Sequence, residues 1–120
     1  MSDEVQDREA AEASAQTWLA CIDRGDAAAS YDIAAALFRA AVTPEVWAES
    51  LRQAQLPIGR AVARTARSQT FATELPGAPD GEYLVLQYET QFERKQNGAE
   101  TVVMMREATG EWRVSGYWIR

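Results

Sequence analysis

From Ser50 to Thr73 the chain carries no Asp or Glu, yet Arg52, Arg60, Arg64 and Arg67 all fall there. Arginine presents a planar fork of donors that matches a carboxylate or another anion, which makes Arg64 a candidate binding residue. The plainer reading is a solvated strand and helix face that balances acidic helices. Carboxylates cluster at Asp23, Asp26 and Asp32, and each has a structural use: a helix end, a cap and a helix surface. Phenols come from Tyr31, Tyr83, Tyr88 and Tyr117, residues that more often fill core and rim than transfer protons. The chain has no histidine and one cysteine, Cys21. Beside Ile22 in a helical pattern, Cys21 reads as a small buried apolar residue, and no histidine exists to activate its thiol. Nothing has metal-ligand spacing, and there is no glycine-rich phosphate loop. The sequence therefore points to no metal, no cofactor and no catalytic residue.

The charge distribution limits the partners. Residues 1–50 hold ten acids against three arginines, and residues 51–120 hold eight acids against nine bases, for a net charge of −6. Without a net basic domain to displace counterions from phosphates, nucleic acid is not an expected partner. Apolar runs are too short for a transmembrane segment. The acidic start Met1-Ser2-Asp3-Glu4 lacks the basic and apolar regions of a secretory signal, which leaves a cytoplasmic protein or an exported domain whose signal has been removed.

The elements that must position these side chains divide the chain in two. Residues 7–57 follow helical spacing, residues 60–120 alternate as strands, and residues 1–6 read as a flexible tail, all within one domain of 120 residues. A first helix is predicted from Asp7 to Arg24, with Ala11, Ala15, Trp18, Leu19 and Ile22 on one face. Gly25 stops it and Asp26 caps a second helix that buries Tyr31, Ala34, Ala35 and Phe38. Thr43-Pro44-Glu45 is a strong start signal for a third, with Trp47, Leu51 and Ala54 as its buried stripe. Strands are predicted over Arg60–Leu75, Glu82–Phe92 and Glu100–Glu107, and from Trp112 to the end. Asn97-Gly98 suggests a type I′ hairpin turn, and Gly116 suggests a bulge or bend. In the last strand Trp112, Val114, Gly116 and Trp118 share one predicted face, opposite Arg113, Ser115, Tyr117 and Ile119. Large residues on both faces make this a predicted central strand. The fold class is α+β: about three helices packed on a curved, antiparallel, roughly four-stranded sheet, cone-like in outline.

Particular segments also carry a family resemblance. They include Trp18 to Asp26, Tyr31-Asp32, Pro57-Ile58-Gly59, the loop Pro76-Gly77-Ala78-Pro79-Asp80-Gly81 and the ending Trp112-Arg113-Val114-Ser115-Gly116-Tyr117. In these the chain resembles the bacterial domain-of-unknown-function family 4019, and its element order resembles the nuclear-transport-factor-2-like cone fold. The family resemblance implies no activity, and it implies a periplasmic or envelope-facing setting where an export signal has been removed. The cone resemblance implies a lumen in which a carboxylate and a tyrosine could transfer a proton, with Asp32 and Tyr88 as the residues for those roles. The expected function is a non-enzymatic domain that binds a small molecule or a protein. The alternatives are a cofactor-free enzyme using the carboxylate and tyrosine, or a homodimerisation module pairing through Val85, Val103 and Met105 on the outer sheet face.

Overall fold

The computed structural model describes residues 2–120, with side chains from Glu4 onward. Four helices precede four strands: α1 (Ser2–Asp23), α2 (Ala27–Asp32), α3 (Ala36–Ala41), α4 (Pro44–Gln55), β1 (Ala61–Ala72), β2 (Tyr83–Phe92), β3 (Lys95–Arg106) and β4 (Trp112–Ile119). The strands form one open antiparallel sheet in the order β1-β2-β3-β4; α1 packs on one of its faces, α2 and α4 pack over α1, and α3 lies against β4. This is the α+β arrangement expected, with one helix more than predicted and with α1 starting at Ser2 instead of Asp7.

Local signals set several of the boundaries. Gly25 takes φ +72° after α1, and the Asp26 N–H donates to Cys21 O at 2.9 Å, closing the helix end. Asp26 Oδ1 accepts from Ala29 N–H at 3.1 Å, and Thr43 Oγ1 accepts from Val46 N–H at 3.2 Å, so both predicted caps form. The core is one cluster in which Ala11, Ala15, Trp18, Leu19 and Ile22 of α1 meet Leu84, Leu86, Tyr88, Val102, Met104, Trp112 and Val114 of the sheet. Trp47 and Leu51 of α4 join it, whereas Ala54 is exposed.

The second predicted helix is broken in two. Between α2 and α3 the chain turns so that Ala35 N–H donates to Val114 O at 2.8 Å on the edge of β4, and Glu107 Oε2 accepts from Ala36 N–H at 2.9 Å. Both partners are more than 70 residues away in sequence, so tertiary hydrogen bonding overrides an alanine-rich pattern that by propensity would continue.

The sheet departs from expectation at the start of β3. Its hairpin to β2 turns at Glu93-Arg94, because Phe92 already pairs with Lys95 and Thr90 with Gly98; Asn97-Gly98 lies inside the strand. That turn is anchored on the segment after α4: Arg94 N–H donates to Ile58 O at 2.8 Å and Arg94 Nη2 to Leu56 O at 2.8 Å. Gly98 is needed for space and not for a turn. A Cβ there would stand 2.5 Å from the Phe92 ring and 3.0 Å from Thr90 O. Gly98→Ala is expected to cost about 1–3 kcal/mol by overpacking. Phe92→Leu in the same chain should return part of that loss in urea unfolding.

The bulge predicted near Gly116 is present. Val103 pairs with Gly116 and Met104 with Val114, which leaves Ser115 unpaired. One extra residue reverses the facing of everything after it, so Tyr117 points to the helices and Trp118, at 45% exposure, points away. The expected grouping of Trp118 with Trp112 and Val114 fails for that reason. β4 is also an edge strand rather than a central one, and the large residues on its two faces are divided by the bulge.

Candidate functional site

Charged and phenolic side chains meet where the end of α1 approaches the first half of β1 and the middle of β3. Glu100, on β3, is fully buried. Its Oε1 accepts from Arg64 Nε at 2.7 Å and Thr90 Oγ1 at 2.5 Å, and its Oε2 accepts from Arg64 Nη2 at 3.3 Å and from the Tyr117 hydroxyl. The far side of the Arg64 fork donates to both oxygens of Asp23, at 2.8 and 2.9 Å. One arginine therefore ties the C-terminal turn of α1 to two strands. Three residues, one from each of the other strands, hold a buried carboxylate that would otherwise cost several kcal/mol in that place.

Electrostatics follow from this geometry. Burial works against the Arg64 charge, but its hydrogen bonds to Asp23 and Glu100 outweigh it and raise its pKa. Burial, followed by the Glu100 carboxylate, pushes the Tyr117 phenol well above its ordinary value. Tyr88 is pushed up to about 12, first by burial and then by the Glu12 carboxylate on α1. Its hydroxyl is buried with no hydrogen-bond partner among the described residues. Both neutral phenols are favoured in the folded state, so their contribution to stability is full below pH 10 and is lost as pH rises through 10 toward 12 and beyond. Between pH 9 and pH 11 we expect a fall on the order of 1 kcal/mol for each tyrosine. The double variant Tyr88→Phe/Tyr117→Phe should flatten that fall in urea midpoints measured across the range.

Of the three binding candidates read from sequence, Arg64 and Tyr88 both lie on the helix-facing side of the sheet by this cluster. Asp32 is exposed at the end of α2 and takes no part in it. The carboxylate beside the two tyrosines is Glu100. Its signal was available, since it shares strand parity with Val102 and Met104, which both face the helices. Tyr117 faces the cluster only once the bulge signalled by Gly116 is counted through the alternation of β4.

Concavities lie away from the cluster. Under the first turns of α1 is a cleft of about 290 Å³ lined by Glu4, Asp7, Arg8, Phe71, Leu84 and Trp112. A second, of about 300 Å³, lies beyond Trp112 along α1 and is lined by Ser14, Thr17, Trp18 and Ile33 among others. Trp112 is the wall shared by the two, and its Nε1–H is buried with no acceptor among the described residues. On the opposite face of the sheet a groove of about 460 Å³ runs over Val85, Val103 and Gly116, between the Leu75–Ala78 loop and Leu37 with Trp118. No group of three or more metal-ligating side chains forms among the described residues, and none of their helices is long and apolar enough to cross a membrane.

Among curated proteins none matches the chain. The model of one family does, over residues 14–117, from the middle of α1 into β4: the chain belongs to the family described as Protein of unknown function (DUF4019).

Proposed function

We propose that this chain is a non-enzymatic domain of cone-like form that binds a small molecule in the cleft between α1 and the sheet. The observation that carries the reading is the division of labour inside the helix-facing side. At one end Glu100 accepts four hydrogen bonds and is sealed from solvent, so it has no lone pair free to take a substrate proton. At the other end Phe71 and Leu84 form apolar walls and Phe71 is 45% exposed. A cleft of about 290 Å³ with Phe71, Leu84 and Trp112 as apolar walls and Glu4, Asp7 and Arg8 as a charged rim suits a compact ligand.

Titration of ¹⁵N-labelled protein with a panel of neutral small molecules tests it. Shifts that saturate at Phe71, Leu84 and Trp112 are the expected result. Turnover of any panel member, with loss of that turnover in Glu100→Gln, would overturn the non-enzymatic reading. A second reading, pairing with a partner or another copy through the outer face, is favoured by exposed Trp118 beside the Val85–Val103 groove. Sedimentation of wild type and Val103→Lys distinguishes it: a concentration-dependent mass abolished by the lysine would place binding there.

A further inference from the structure

The shared wall of the two clefts holds a donor with nothing to donate to. Trp112 is 4% exposed, and its indole Nε1–H finds no acceptor among the described residues, whereas Trp18 Nε1–H reaches Ser30 O at 3.0 Å and Trp47 Nε1–H reaches Ser30 Oγ at 2.9 Å. An orphaned buried N–H is costly, and the cost disappears when an incoming group supplies the acceptor, which here requires the indole to turn its sealed Nε1–H toward the cleft. The rest of the lining says what that group belongs to. Phe71 and Leu84 offer apolar faces to a ring. The nearby cations are already engaged: Arg8 donates to Glu4 at 3.2 Å and to Gln69 at 3.3 Å, and Arg106 donates to Asp7 at 3.3 Å and Glu82 at 3.2 Å. With each arginine held by a carboxylate, and with Glu4 and Asp7 themselves in the lining, an anion meets repulsion rather than a counterion.

Resting on the small-molecule reading above, we infer that the cleft under the first turns of α1 takes an uncharged, ring-bearing ligand whose carbonyl-type oxygen accepts a hydrogen bond from Trp112 Nε1–H. The ring lies against Phe71 and Leu84. The paired charges of Glu4, Asp7 and Arg8 form a rim that selects against carboxylates. Specificity then comes from one buried donor, since a site built to pair a polar group discriminates strongly against an analogue that lacks it.

Three probes with one ring system test this: 2-naphthamide, 2-naphthoate and 2-methylnaphthalene, each titrated into the whole ¹⁵N-labelled chain while the four indole N–H resonances are followed. The Trp112 resonance is assigned by its disappearance in Trp112→Phe. The expected result is a downfield shift of that resonance with 2-naphthamide, with at least tenfold weaker binding of both 2-naphthoate and 2-methylnaphthalene. Trp112→Phe should reduce the amide to the affinity of the methyl compound. If Phe71 and Leu84 shift but the Trp112 N–H does not, the cleft binds and the inferred hydrogen bond is wrong. If 2-naphthoate binds as well as the amide, the charge selection is wrong. If no resonance in the cleft moves with any probe, the inference fails together with the small-molecule reading. Where the phenylalanine variant does not fold, through-bond and NOE connectivity to the Trp112 backbone amide assigns the indole in wild type, and the wild-type spectra still decide between these outcomes.

Discussion

Replacing Arg64 with alanine is expected to destabilise the protein by about 3–5 kcal/mol, because it leaves a fully buried carboxylate with no cation. Glu100 would retain only the hydroxyls of Thr90 and Tyr117, and Asp23 would lose its tie to β1. For a domain of this size that is a large share of total stability. The urea midpoint reports it directly. Arg64→Lys should recover only part, since a single ammonium cannot span Asp23 and Glu100 as the guanidinium does. A midpoint for Arg64→Ala within 0.5 kcal/mol of wild type, roughly the effect of a neutral surface change, would show that the cluster is not a strut.

The second large effect belongs to Trp18. It is buried at 1% exposure, donates from Nε1 to Ser30 O, and meets the Tyr117 ring edge-on at 5.0 Å and the tilted Trp47 ring at 6.0 Å between centroids. It therefore touches the α2 turn, α4 and β4 at once. Trp18→Ala removes the transfer free energy of the indole and opens a cavity, a loss of about 3–5 kcal/mol. Much of the fold's helix–sheet contact goes with it, so the variant is expected to lose the dispersed indole resonances as well as cooperative unfolding. Trp18→Phe, which keeps a ring but drops the donor, should cost distinctly less.

Both effects rest on parts of the molecule that differ in how openly the sequence displays them. Trp18 was legible: its spacing with Ala11, Ala15 and Ile22 marks one helix face, and the caps at Asp26 and Thr43 mark the corners that follow. Local chemistry decides such features, and local chemistry is what a sequence records. The break at Ala35 depends on the β4 edge and on Glu107, the hairpin turn at Glu93-Arg94 on the carbonyls of Leu56 to Ile58, and the facing of Tyr117 on one unpaired residue in β4. The first two are fixed by partners distant in the chain, the third by a bulge that shifts the alternation of every residue after it. The candidate site inherits this division. Arg64 and Tyr88 carry residue types that invite attention, while Glu100 needed strand parity to be followed one step further and Trp112's unpaired donor needed the fold itself.

The strut and the cleft are separate by position: Leu84 and Thr90 stand about 20 Å apart along β2 at the usual rise of a strand. That separation makes the central claim testable in one chain. The variant Arg64→Met/Thr90→Val/Glu100→Leu/Tyr117→Phe replaces the buried polar cluster with apolar side chains of similar size, a change that folded proteins often tolerate. Its affinity for 2-naphthamide, measured by calorimetry beside wild type, is the deciding number. An unchanged affinity is the result expected of a cluster that only holds α1 to the sheet; a folded variant that no longer binds would place the function in the cluster and contradict the account.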